Sequence, residues 1–163
     1  MPLMFFMWGG EKEILDKFSK FGAQLVFSTE KFCWPPHLLD LQRPAPTLYR
    51  YLNAGGYIGY AGFIKYLLQD MLPYADCCCD QASLMAYLLG KNPDLIDRGL
   101  VAFDYFNTIF LSLQDVDEKE LKLDLRNRRI YCKATKSYPC IIHGNGGGKV
   151  LFPKLYDKLF SPR

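Results

Sequence analysis

The sequence is poor in the residues and patterns that most quickly betray a chemistry. It has two histidines, His37 and His143, in 163 residues. A non-haem iron oxygenase needs two histidines and a carboxylate on one face of its metal. The glycine-rich setting of His143 fits that poorly, so hydroxylation is not expected here. No HExxH, Gly-x-Ser-x-Gly, GxGxxG or GxxxxGK[ST] pattern occurs, which removes the common zincin, hydrolase, dinucleotide and P-loop readings. No apolar run reaches the ~18 residues that suggest a membrane span. Met1 to Trp8 is hydrophobic, but it lacks the basic start, length and cleavage site of a signal peptide. The formal charge is only +3, and no basic stripe interleaved with aromatics points to nucleic acid. The six cysteines include the adjacent Cys77, Cys78 and Cys79 but no CxxC pair. They read as small hydrophobes, or as one or two disulfides in a secretory protein.

Half the residues are apolar, enough for one domain with a real core, and the whole chain 1–163 is expected to form it. Residues 3–8 read as a strand and 11–21 as a helix, with Ile14, Leu15, Phe18 and Phe21 at helical spacing. Glu11 and Glu13 favour its first turn, and Gly22 its stop. Residues 24–28 read as a second strand. Strand, helix, strand in that order predicts a βαβ unit and a mostly parallel sheet. Pro44 and Pro46 hold 33–47 as a loop without regular structure. A strand-like run follows at 52–60, then helices over 62–71 and 80–89. Short strands are expected at 100–104, 108–113, 121–125, 129–131 and 140–143. A final helix covers 149–160, with Pro153 as a candidate for its true start.

Four segments could carry chemistry. In His143-Gly144-Asn145-Gly146-Gly147-Gly148-Lys149 an imidazole stands at a strand end, where α/β folds place ligands. Neutral imidazole binds divalent cations, glycines let backbone N–H groups approach a phosphate, and Lys149 adds a cation. The same residues also suit a plain glycine loop with a surface histidine. In Asn53-Ala54-Gly55-Gly56 the amide offers donors and acceptors to sugar hydroxyls beside two flexible glycines. A buried glycine corner is the alternative. Asp76 and Asp80-Gln81 could orient an acceptor hydroxyl or stabilise positive charge at a sugar carbon, or Asp80 could serve only as a helix cap. Trp34, in a Pro-rich loop, could stack on a sugar or simply pin the loop.

Together, Phe32-Cys33-Trp34-Pro35, the run from Tyr51 to Ala61, Asp80-Gln81 and His143-Gly144-Asn145-Gly146 resemble, in order and spacing, the glycosyltransferase domain of procollagen-lysine hydroxylases. The resemblance spans nearly the whole chain. It implies a GT-A-like (Rossmann-like) α/β fold with a mixed sheet and flanking helices, a UDP-sugar donor (UDP-glucose or UDP-galactose) and a manganese ion between the phosphates. It further implies a collagen or collagen-like acceptor, the endoplasmic reticulum lumen or secretory pathway, and a parent protein that could be homodimeric. By this resemblance His143 is a metal ligand, and Gly144, Asn145, Gly146 and Lys149 contact the cofactor. Trp34, Asn53, Gly55, Gly56 and Gln81 meet substrate, and Asp80 belongs to an acidic run needed for transfer. Two departures stand out. Cys77–Cys79 replace most of that run, and no aspartate occurs in Met1–Trp8, where the family's metal-binding Asp-x-x-Asp segment would fall. The uridine-binding strands are also expected further upstream. The expectation is therefore the C-terminal part of the domain, as a truncated transferase or a degenerate non-catalytic module, with little or no transfer and low solubility.

Overall fold

The computed structural model describes residues 5–75 and 79–161. Within it eight strands and five α-helices alternate along the chain. Strand β1 (Phe5–Met7) leads into helix α1 (Glu11–Ser19). Strand β2 (Leu25–Glu30) follows, buried at every position, including Ser28, Thr29 and Glu30, as a central strand covered on both faces is. Next come β3 (Tyr51–Gly59), α2 (Ala61–Met71) and α3 (Asp80–Met85). Helix α4 (Asp94–Asp97) and strands β4 (Val101–Phe103) and β5 (Phe110–Ser112) precede a hairpin of β6 (Leu121–Asp124) and β7 (Arg129–Cys132). Strand β8 (Ile141–His143) and helix α5 (Gly148–Phe160) close the sequence.

The strands form two mixed three-stranded sheets, β1-β8-β5 and β3-β2-β4, beside the β6-β7 hairpin. In the first, β1 runs antiparallel and β5 parallel to β8. In the second, β3 runs antiparallel and β4 parallel to β2. The two sheets meet where the Ser28 and Ser112 hydroxyls lie 3.3 Å apart. Ile14 and Phe18 of α1 pack there with Val26, Ile109, Phe110 and Cys140, so one helix seals the junction. A second cluster lies between β2-β3-β4 and α2-α3, and a third between β5, β7, β8 and α5. This is a mixed α/β fold with flanking helices, as expected.

Several expectations need correction. The first two strands do not make a βαβ unit. The N–H groups of Trp8 and Gly9 both donate to Cys140 O, which carries the chain away from β8, and α1 then crosses to the other sheet. The described part of the first strand starts at Phe5; Leu3 and Met4 lie outside the described residues. The predicted 80–89 helix changes pitch: after α3 the chain widens into a π-helical turn (Ala86–Lys91), closed by Asn92 N–H on Tyr87 O at 2.7 Å. Pro153 does not start α5, which already runs from Gly148; as the sixth residue of the helix it offers no N–H to the Lys149 carbonyl one turn before it. The 33–47 loop contains a 3-10 segment, Pro36–Leu41, behind a cis Trp34–Pro35 peptide. Among the described residues Cys33, Cys79, Cys132 and Cys140 are free thiols, three of them buried, so they follow the small-hydrophobe reading. Cys77 and Cys78 lie outside the described residues. No helix among the described residues is long and apolar enough to cross a membrane.

Candidate functional site

The site begins with a break in a ladder. Leu25–Phe27 pair with residues 57–59, whereas Ser28, Thr29 and Glu30 pair with Asn53, Leu52 and Tyr51. Residues 54–56 are left over as a bulge, a device that re-aims side chains beside active sites. The bulge brings Gly55 against His143. A Cβ on Gly55 would lie 2.2 Å from His143 Cε1, so only glycine leaves room for the imidazole. Gly56 packs elsewhere, against Phe110 and Ser28, and Gly144 lies against Phe152.

Beside the bulge is a cavity of about 500 Å³, lined by Glu30, Phe32, Trp34, Asn53–Gly55, Asp80, Gln81, Gln114, His143, Asn145, Gly146 and Lys149. Of the eleven site residues expected from the sequence, Trp34, Asn53, Gly55, Asp80, Gln81, His143, Asn145, Gly146 and Lys149 meet there, while Gly56 and Gly144 do not line it. Asp76 lies outside the described residues.

A carboxylate that sequence reasoning missed organises this cavity. Glu30 ends β2 at 3 % exposure. Its Oε1 accepts from Gln81 Nε2 at 3.0 Å and its Oε2 from Asn145 Nδ2 at 2.7 Å. Burial pushes this carboxyl up from its ordinary range, while hydrogen bonds from Asn53, Gln81 and Asn145 oppose that shift. The available signal was a lone acid three residues past the apolar Leu25–Phe27 run, at the strand end where ligands gather. Gln81, on the first turn of α3, spends its amide on the scaffold. Besides Glu30 it donates to Trp34 O at 2.7 Å and accepts from Ala54 N–H at 3.0 Å. Asp80 stands exposed at the rim, its Oδ1 accepting from Gln81 N–H. It is not the cap of α3; Cys79 Sγ takes that place, accepting from Ala82 N–H.

His143 is 5 % exposed. Its ring stacks on Phe5 with centroids 4.2 Å apart, because β1 pairs Phe5 with His143. Nδ1 lies 3.2 Å from Asn53 Oδ1, which also accepts from Gly55 N–H. An amide oxygen can only accept, so Nδ1 carries the proton and Nε2 keeps its lone pair. Burial, reinforced by Lys149, lowers the histidine from 6.5 to about 4, so the ring is neutral near pH 7. Nε2 is buried without a hydrogen-bond partner among the described residues. A neutral imidazole with one nitrogen anchored and the other free is prepared as a metal ligand. Among the described residues, however, no group of three His, Cys, Asp or Glu side chains could hold an ion.

The glycine loop differs from expectation. The N–H groups of Gly148, Lys149 and Val150 donate to Asn145, Gly146 and Gly147 carbonyls, and Gly147 N–H to Gln114 Oε1. The start of α5 thus presents the Asn145 and Lys149 side chains rather than a row of free amides. Phe32 and Trp34, 39 % and 54 % exposed, add aromatic surface to the polar lining of the cavity. Rings beside amides and a carboxylate suit a sugar, whose C–H faces stack while its hydroxyls hydrogen-bond.

A family model described as the PLOD GT domain matches residues 4–159. The human multifunctional procollagen lysine hydroxylase and glycosyltransferase LH3 is 37 % identical over 144 residues, which is 87 % of this chain and 19 % of that protein. The Drosophila melanogaster procollagen-lysine,2-oxoglutarate 5-dioxygenase is 34 % identical over 143 residues, 85 % of this chain and 19 % of its own length. The Mus musculus procollagen-lysine,2-oxoglutarate 5-dioxygenase 1 is 32 % identical over 143 residues, with 86 % and 19 % covered. The chain thus spans about a fifth of the length of the curated relatives it matches.

Proposed function

Since the chain belongs to the PLOD glycosyltransferase-domain family, we propose that its cavity binds a UDP-sugar and serves transfer of galactose or glucose to hydroxylysine, or to galactosylhydroxylysine, of a collagen-like polypeptide. The observation that carries this reading is the convergence on one cavity of the unpartnered His143 Nε2, Lys149, the Glu30–Asn145–Gln81 network and the Phe32 and Trp34 rings. In it, Lys149, beside Asn145, attracts the diphosphate, Trp34 and Phe32 hold the sugar face, and Asn53 meets hydroxyls. Asp80, exposed at the rim, orients the acceptor hydroxyl. Both oxygens of Glu30 are occupied by amides, so it fixes the site rather than shuttling protons.

His143 would hold manganese through Nε2, with further ligands drawn from diphosphate oxygens and water, since a hard cation prefers oxygen. The ion would supply positive charge against the departing UDP. Work in the secretory pathway, and a homodimeric parent, belong to the same proposal.

A second reading, a non-catalytic module that retains sugar binding, is favoured by the lack of three metal-ligating side chains among the described residues. Calorimetry with UDP and manganese, on the chain and on His143→Ala, tests both. The transferase reading expects manganese-dependent UDP binding that His143→Ala removes while the melting temperature holds. UDP binding that ignores both manganese and His143 would sink the metal role. Sub-micromolar binding of both by the wild-type chain would contradict the weak capture expected of one histidine, and would favour the active enzyme over the module.

A further inference from the structure

The parallel β5-β8 ladder ends at Ser112↔His143, yet the two segments stay bonded beyond it. Leu113 N–H donates to His143 O at 2.9 Å. Gln114 N–H then donates to Asn145 Oδ1 at 3.2 Å, and Gly147 N–H donates to Gln114 Oε1 at 2.6 Å. Contacts at 143, 145 and 147 continue the ladder with side chains where the backbones diverge. Gln114 supplies two of the three. The fit is close: Gly146 has φ +48°, and a Cβ there would lie 1.7 Å from Gln114 Oε1. Gly148 likewise rests on Leu113, where a Cβ would lie 2.4 Å from Leu113 Cβ. The remaining Gln114 donor, Nε2, is fixed by Asp115 Oδ1 at 3.0 Å.

Asn145 is held on both sides, by Gln114 N–H on Oδ1 and by Glu30 on Nδ2. Lys149 follows the Gly147 corner at the start of α5. We infer that Gln114 is a positioning residue for the diphosphate end of the cavity: its side-chain amide fixes the 145–148 corner, and with it the reach of Asn145 and Lys149. This rests on the UDP-sugar reading. Gln114 lines the cavity, but it acts through the loop it holds.

The test uses the full chain and three proteins: wild type, Gln114→Ala and Gln114→Glu. Hydrogen exchange and the ¹⁵N–¹H resonance of Gly147 report the clamp. UDP is titrated by NMR with magnesium as a diamagnetic ion. Gln114→Ala should speed Gly147 exchange at least about tenfold and weaken UDP binding by about tenfold, the equivalent of one hydrogen bond. Its melting temperature should stay within a few degrees of wild type. Gln114→Glu keeps the acceptor atom and should restore slow Gly147 exchange. Equal UDP affinity in wild type and Gln114→Ala would overturn the inference, as would slow Gly147 exchange in Gln114→Ala. Absence of UDP binding by the wild-type chain at millimolar concentration would instead overturn the donor reading, and this inference with it.

Discussion

Adding one methyl group at Gly55 should disable the site, and the size of the effect follows from the geometry. The backbone of Gly55 lies outside the left-handed region that favours glycine, so alanine is sterically allowed there except for what its Cβ meets. It meets His143 Cε1 at 2.2 Å and Nδ1 at 2.8 Å, where ordinary contact needs about 3.5 Å. The ring must retreat by more than about 1 Å, since the bulge around Gly55 is itself held by Ala54 N–H on Gln81 Oε1 and by Gly55 N–H on Asn53 Oδ1. Retreat breaks the 3.2 Å bond to Asn53 and disturbs the 4.2 Å stack on Phe5. One hydrogen bond at about 1 kcal/mol and overpacking at about 1–3 kcal/mol give a cost of about 2–4 kcal/mol. The control is Gly62→Ala in α2, where the added Cβ meets nothing within 4 Å. That change should stabilise by up to about 1 kcal/mol. Urea unfolding of the two variants beside wild type measures both, and imidazole NMR resonances report whether His143 has moved. A Gly55→Ala protein as stable as wild type, with unshifted His143 resonances, would refute the argument.

Acid should act in two separable windows. In the metal-free chain the folded pKa of His143 is depressed, so the unfolded state binds more protons between 6.5 and about 4. Its contribution is complete above about 6.5 and is lost as pH falls towards 4. At about 1.4 kcal/mol for each tenfold change in proton affinity, the loss is on the order of 3 kcal/mol. Glu30, raised by burial, acts in the opposite sense, so the readout is the wild-type curve minus that of His143→Gln; parallel curves from pH 7 to 4 would refute it. Glu13 is pushed up by burial, but hydrogen bonds and charges from Lys17 and Arg129 hold it at about 2. Its stabilisation should be complete above about 4.5 and be lost progressively as pH falls towards 2, and acid unfolding of Arg129→Ala beside wild type should show that loss beginning at higher pH; coincident curves would refute it. Among the described residues strand β1 is an edge of its sheet, with Phe5 and Met7 41 % and 64 % exposed. Met7→Lys should therefore reduce self-association in sedimentation, because charge on an edge blocks strand addition; unchanged association would move the sticky surface elsewhere.

Periodicity located most elements because it follows local burial. Ile14 and Phe18 predict a helix face, and the apolar run at 24–28 predicts a buried strand. Pairing partners were another matter. Nothing local to residues 3–8 says that β1 lies antiparallel to β8 rather than parallel to β2. The glycine segments were recognisable as special, yet their reasons separate only in three dimensions: Gly55 makes room for a ring, and Gly56 and Gly144 for packing. Glu30 escaped because a single acid after Ser28 and Thr29 has no spacing to betray it. Its partners, Gln81 and Asn145, lie 51 and 115 residues away. Gln114 escaped for the same reason.

The bulge at 54–56 has an architectural consequence. Excising those three residues would join Asn53 to Tyr57, and the two registers Phe27↔Tyr57 and Ser28↔Asn53 would become consecutive rungs of one regular ladder. Side chains would still alternate correctly, since partners 53 and 57 already face opposite sides. The hairpin therefore contains a complete sheet-forming sequence with a short insert spliced into it. That insert carries no share of the pairing, yet it supplies the wall against which His143 rests. Structure and chemistry are written here in separate letters of the same strand, so the site could be gained or lost while the sheet stays as it is.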